Sequence, residues 1–176
     1  ISASKVVVIC VLDHEAVTSI FNHVANKQLL WEKTFINFTT GSPQEADNLE
    51  KWLNDNGAAL INGALQVAPD QMGKPETTIL LSGKRNIYDA VEHTLKLFGG
   101  NLKYLGDKAL LASAMDLATL SWLYGSYIGM LHGVALCQKS GMKLELYKDI
   151  LAEITPGFTE FFQHQIGVIE SGDFRI

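Results

Sequence analysis

Between Ala109 and Leu136 the sequence runs 28 residues with one formal charge, Asp116, and one histidine, His132. Acidic side chains are almost never buried unpaired. Asp116 is therefore either bonded to a neighbouring backbone group or cation, or it faces a cleft where it handles a proton or a positive charge. Other chemistry is thinly represented. The five histidines include no pair at metal-ligand spacing, so no metal site is expected. No Gly-x-Gly-x-x-Gly occurs in these 176 residues, so the loop that cradles a pyrophosphate at a helix N-terminus is not in this stretch. Cys10 and Cys137 both lie in apolar runs. Two cysteines make no disulfide framework, and buried free thiols in a reducing, cytoplasmic setting are expected.

The elements that would position such residues can be read along the chain. Lys5 to Leu12 is a continuous β-branched run, the pattern of a strand buried on both faces of a parallel sheet. Asp13 suits a helix N-cap, followed at helical spacing by Ala16, Val17, Ile20, Phe21 and Val24. Thr34 to Thr39 reads as a second strand, and Thr39 and Thr40 as its closing turn. Ser42-Pro43-Gln44-Glu45 is a capping box with proline at the first helical position. Further strands are expected at 58–67, 77–81 and 102–105, with a helix from Asn86 to Phe98. Strands and helices thus alternate to about residue 105, which implies an α/β unit with a parallel sheet. Beyond Gly106 the strands cease, and the chain reads as all-α. One long helix spans about 108–139 and a second about 144–154. Thr155-Pro156 opens a third. The boundary expected from this change divides the chain at 1–106 and 107–176.

Composition narrows the classes of function. With 14 Lys+Arg against 19 Asp+Glu the net charge is −5, which argues against a nucleic-acid partner. A hydrophobic fraction of 47% excludes disorder, and a charged fraction of 19% implies surface hidden in a core or an interface. The long helix has the ~20 apolar residues of a membrane span and a small-residue stripe, Gly125, Gly129 and Gly133. Asp116 would be costly in hydrocarbon, so no membrane is expected. The helix is read as buried all round in a homodimer formed through it.

The order of several segments resembles the β-hydroxyacid dehydrogenase superfamily, and within it the NADPH-dependent imine reductases. The resemblance rests on Val8-Ile-Cys-Val-Leu-Asp13, Asn37-Phe-Thr-Thr-Gly-Ser-Pro43, Asn62-Gly-Ala-Leu-Gln-Val-Ala-Pro69 and Gly73-Lys-Pro-Glu-Thr77. Tyr104-Leu-Gly-Asp107 and Met115-Asp-Leu-Ala118 through Tyr124-Gly125 continue it. It implies the second half of a Rossmann-type NADP-binding domain, then an interdomain helix and the start of a helical dimerisation domain. It also implies that Leu12, Asp13 and Thr40 lie along the dinucleotide, and that Gln66, Trp122 and Tyr124 line the substrate pocket. Asp116 then falls where hydroxyacid dehydrogenases resembling this chain carry a catalytic lysine, and Leu120 where they carry an asparagine.

Those two departures change the chemistry. A lysine and an amide suit a hydroxy acid, whereas an acid among apolar walls suits a cationic iminium. The implied activity is NADPH-dependent reduction of a cyclic imine by the parent protein, with Asp116 as the catalytic residue. The alternatives are a hydroxyacid or aldehyde reductase of the same superfamily, or a non-catalytic dimerising fragment. The chain begins at Ile1 and stops at Phe174-Arg175-Ile176, and is expected to be the central part of a longer protein.

Overall fold

A computed structural model describes residues 3–24 and 26–172. The two chain ends read above, Ile1 and Phe174 to Ile176, lie outside the described residues. The fold divides into two compact units between Ser121 and Trp122.

The first unit is built on a five-stranded sheet: β1 (Val6–Ile9), β2 (Thr34–Asn37), β3 (Ala59–Leu65), β4 (Thr78–Ser82) and β5 (Asn101–Tyr104). The strands lie side by side in chain order. Helix α1 (His14–Asn22) joins β1 to β2, α2 (Pro43–Asp55) joins β2 to β3, and α3 (Arg85–Leu95) joins β4 to β5. The caps form where the sequence places them. Asp13 accepts the Ala16 amide at 2.8 Å, and Ser42 and Glu45 close the capping box of α2.

Apolar side chains pack against helices on both faces of the sheet. On one face Ile9, Phe35 and Leu60 pack against Val17 and Phe21 of α1 and Leu49 and Leu53 of α2. Phe21 meets Phe35 edge-on at 5.3 Å and tilts against Trp52 at 4.8 Å. On the other face Ile36, Ile61, Ile79 and Leu81 take Tyr88, Val91 and Leu95 of α3. Each such side chain contributes about 1.5–3 kcal/mol by leaving water, so the sheet and its helices are the rigid base of this unit.

Four expectations are corrected. The sheet is mostly, not wholly, parallel: β3 and β4 pair antiparallel, Asn62 opposite Ser82 and Leu65 opposite Ile79. A parallel return needs a crossover, usually a helix. Residues 66–77 hold only the short 3₁₀ turn Pro69–Gln71, so the chain doubles back at the same end of the sheet. Second, β1 is not buried on both faces. It is an edge strand of this sheet, and Val8 is exposed. For the same reason Cys10, just past its end, is exposed, while Cys137 is buried. Third, α3 starts at Arg85 behind Lys84, with no side-chain cap from Asn86.

The fourth correction concerns the helices. Helix α4 (Leu110–Lys139) is followed by a single helix, α5 (Leu144–Ser171), with Pro156 inside it. Thr155, read as the cap of a third helix, instead donates its hydroxyl to the Leu151 carbonyl at 2.6 Å. Within this chain α4 is covered only in part, as its length requires. Met115, Leu117, Leu123, Ile128 and Leu131 are exposed. A helix of 30 residues extends about 45 Å at 1.5 Å per residue, longer than a domain of this size can cover. In the second unit Gly133 lets Tyr147 of α5 approach so closely that a Cβ there would sit 2.0 Å from its hydroxyl oxygen. A Cβ at Gly125 or Gly129 would meet nothing within 4 Å among the described residues beyond the helix's own neighbouring backbone. Among the described residues no helix is long and apolar enough to cross a membrane.

Candidate active site

Strand register decides which residues share an edge. Ile9, Asn37 and Asn62 lie level across β1, β2 and β3. Three residues further on come Leu12 and Thr40, and four further on comes Gln66. These residues therefore follow the carboxyl ends of three parallel strands, where open α/β sheets take their ligands. The Val11 amide donates to Thr39 Oγ1 at 3.1 Å and ties the first two ends together. Leu12 is 90% exposed, and Thr40 and Asp13 are exposed beside it.

A buried polar network below that edge fixes the start of α4. Asn37 Nδ2 donates to Asn62 Oδ1 at 3.0 Å. Asn62 Nδ2 donates to the Ala109 carbonyl at 3.1 Å and to Ser113 Oγ at 3.0 Å. Ser82 Oγ donates to the same carbonyl at 2.7 Å and accepts the Ala112 amide at 2.9 Å. Glu50 of α2 accepts the Ala109 amide at 3.1 Å. The Ala112 amide in the first turn of α4, which has no partner inside the helix, is thus met by a side chain of β4, and the amide of Ala109 just before the helix by one of α2.

The same helix face carries Asp116. Ala109, Ala112, Ser113 and Asp116 recur at helical spacing and all are buried. From Asn62 to Gln66 the strand advances about 13 Å, and from Ala109 to Asp116 the helix advances about 10 Å. The two elements keep pace, so Gln66 meets Asp116. Gln66 Nε2 donates to Asp116 Oδ1 at 2.6 Å. Thr119 Oγ1 lies 2.9 Å from Gln66 Oε1 and 2.9 Å from the Asp116 carbonyl. Asp116 is 8% exposed and takes part in none of the four ion pairs among the described residues.

The structure thus brings Gln66 and Asp116 into contact and sets Leu12, Asp13 and Thr40 along the edge from which Gln66 emerges. Trp122 and Tyr124 belong to the second unit, where both are exposed. Leu120 is half-buried. The sequence assigns no site role to Thr119, Asn37 or Asn62. The two asparagines carry a signal, since an amide inside an apolar strand requires a buried partner. Nor does it assign one to His14. Its ring is buried against Gly41, where a Cβ would lie 2.3 Å from His14 Cδ2. Gly41, next to Thr40, thus leaves room for the His14 ring. A groove of about 550 Å³ between α1 and α2 is lined by Val17, Phe21, Leu49 and Trp52 and does not include Gln66 or Asp116. Among the described residues no cluster of three metal-binding side chains occurs.

Comparison with known proteins places this edge in a family. The chain is 32% identical to an NADPH-dependent reductive aminase of Aspergillus oryzae (strain ATCC 42149 / RIB 40), over 99% of this chain and 59% of that protein. Among solved structures, a reductive aminase from Aspergillus terreus in complex with NADPH4, cyclohexanone and allyl amine superposes with a TM-score of 0.85 at 34% identity. The match covers 97% of this chain and 58% of that one. An imine reductase from Myxococcus stipitatus in complex with NADP+ shares the fold, with a TM-score of 0.89 at 24% identity over 98% of this chain and 60% of that one. The chain therefore spans somewhat under two thirds of the length of these relatives. Residues 1–106, more than half of the chain, match the family described as the NAD binding domain of 6-phosphogluconate dehydrogenase, and the chain belongs to that family.

Proposed function

We propose that the whole protein reduces imines, cyclic ones among them, to amines with NADPH. The observation that carries this reading is the buried, unpaired-by-cation carboxylate of Asp116, held by Gln66 beyond the carboxyl edge of the sheet. The relatives named as a reductive aminase and an imine reductase support it. When bound, NADPH supplies a hydride. Leu12 and Thr40 offer an exposed, uncharged ledge that fits a nicotinamide and its ribose. The carboxylates of Asp13 and Glu45 cap the amide ends of α1 and α2 and would repel a pyrophosphate there, so these helix ends do not fit it.

An iminium takes a hydride at carbon and becomes a neutral amine. Its positive charge has to be held before that step, and an anion in a poorly solvated place does so strongly. Asp116 is the proposed holder of that charge, or of the proton delivered to an imine nitrogen. Leu120, in place of an amide, leaves the neighbourhood apolar. Gln66, and on α4 Trp122 and Tyr124, are proposed to contact the substrate. We infer also a homodimer through 108–140, which would cover the exposed apolar rows of α4, and a cytoplasmic setting in keeping with two free thiols.

Asp116→Asn keeps the shape and removes the charge and the proton. In the whole protein it lowers turnover of a cyclic imine by about 10²–10⁴. Unchanged turnover would remove the assignment.

A further inference from the structure

We propose that Thr119 and Gln66 are a positioning pair that engages one oxygen of Asp116 and dedicates the other, Oδ2, to the substrate nitrogen; this rests on the imine-reducing reading of Asp116. A carboxylate only accepts hydrogen bonds, so the end of the Gln66 amide that faces it is the NH₂. That orientation turns Oε1 away, toward the Thr119 hydroxyl 2.9 Å off. The hydroxyl donates to Oε1 and so opposes rotation of the amide, which would otherwise set two acceptors against each other at 2.6 Å. Thr119 also stands 2.9 Å from the Asp116 backbone carbonyl. One residue of α4 thus ties the helix at Asp116 to the amide arriving from the end of β3.

The other carboxylate oxygen is treated differently. Asp116 Oδ2 has no hydrogen-bond partner among the described residues. It is not sealed off either, because His14 Nε2 is the one fully buried side-chain polar atom there without a partner. A carboxyl with one oxygen clamped and the other accessible presents a fixed direction to a cation or to a proton acceptor. The Thr119 hydroxyl adds no charge and touches no reacting atom. Its effect passes through the Gln66 amide to Asp116.

Turnover of 1-pyrroline with NADPH by the whole protein tests this, read as single-turnover rates at saturating imine. Thr119→Val keeps the volume and removes the hydroxyl, and is expected to lower the rate about tenfold, the worth of one net hydrogen bond. Thr119→Ser, smaller but hydroxylated, is expected to stay within about twofold of the parent. On an Asp116→Asn background Thr119→Val is expected to cost nothing further, since there is no carboxylate left to aim. A merely structural role predicts the reverse on both counts: serine no better than valine, and the same loss on either background. Should Thr119→Val fail to fold, Thr119→Ala, which also removes the hydroxyl, runs through the same cycle. A near-parental rate for Thr119→Val, or an additive loss in the double variant, overturns the proposal while leaving Asp116 in place. A near-parental rate for Asp116→Asn alone overturns the imine-reducing reading instead.

Discussion

Asn62→Ala is the sharpest perturbation of the scaffold that carries Asp116. Asn62 is 1% exposed, and its side chain makes three hydrogen bonds, to Asn37, Ala109 and Ser113. Their loss is unequal. The Ala109 carbonyl keeps Ser82 Oγ at 2.7 Å. Asn37 Nδ2 keeps only the Thr39 carbonyl at 3.5 Å, beyond a useful hydrogen-bond length. Ser113 Oγ keeps no partner among the described residues. Two buried groups stripped of partners, at about 1–3 kcal/mol each, give a loss of about 3–4 kcal/mol. That is a large share of a total stability of about 5–15 kcal/mol. With a urea dependence of about 2 kcal/mol per molar, the midpoint followed by circular dichroism falls by about 1.5–2 M. Ser113→Ala takes one of two acceptors from Asn62 and costs about 1 kcal/mol. Hydrogen exchange locates the damage, because the Ala112 amide bonded to Ser82 Oγ exchanges faster in Asn62→Ala. A midpoint shift under about 0.3 M would refute the claim that this amide fastens α4 to the sheet.

Three further outcomes are expected. Burial, with Asp107 beside it, pushes the Tyr104 phenol up to about 12, whereas an unfolded tyrosine titrates near 10. The stability this contributes is therefore whole below pH ~10 and is lost as pH rises through about 12. In Tyr104→Phe the alkaline decline in urea midpoint is shallower, and an identical decline would refute the assignment. The isolated 176 residues bind NADPH weakly or not at all, because carboxylates cap the amide ends of α1 and α2 and no glycine-rich loop is present; a micromolar dissociation constant by calorimetry contradicts this. Light scattering over a range of concentrations finds a symmetric dimer of the whole protein, and a soluble monomer throughout refutes an interface on α4.

Local signals in the sequence carry the elements because their physics is local. Asp13 caps α1 and Ser42 with Glu45 caps α2, since a side chain reaches amides two or three residues ahead wherever the rest of the chain goes. Asp116 stands out from sequence alone because a lone acid in 28 apolar or neutral residues requires a partner or a purpose. Local signals also mislead where tertiary context outweighs them. Pro156 reads as a helix start, yet α5 runs through it. The β-branched run around Val8 reads as a doubly buried strand, yet it borders this sheet.

Tertiary structure alone decides who meets whom. Gln66 and Asp116 are fifty residues apart in the chain, and Asn62 and Ser113 fifty-one. No periodicity encodes those pairs. They arise because the level register of β1, β2 and β3 sets the height of each strand end, and because β4, doubling back antiparallel, brings Ser82 opposite Asn62. Ser82 and Asn62 together seat the first turn of α4, and the helix rise then delivers Asp116 to Gln66. A register slip of one residue would turn Asn62 to the other face of the sheet and leave Asp116 without the amide. The sequence determines that a buried acid exists on a long helix; the closing of the sheet determines which oxygen of it is free.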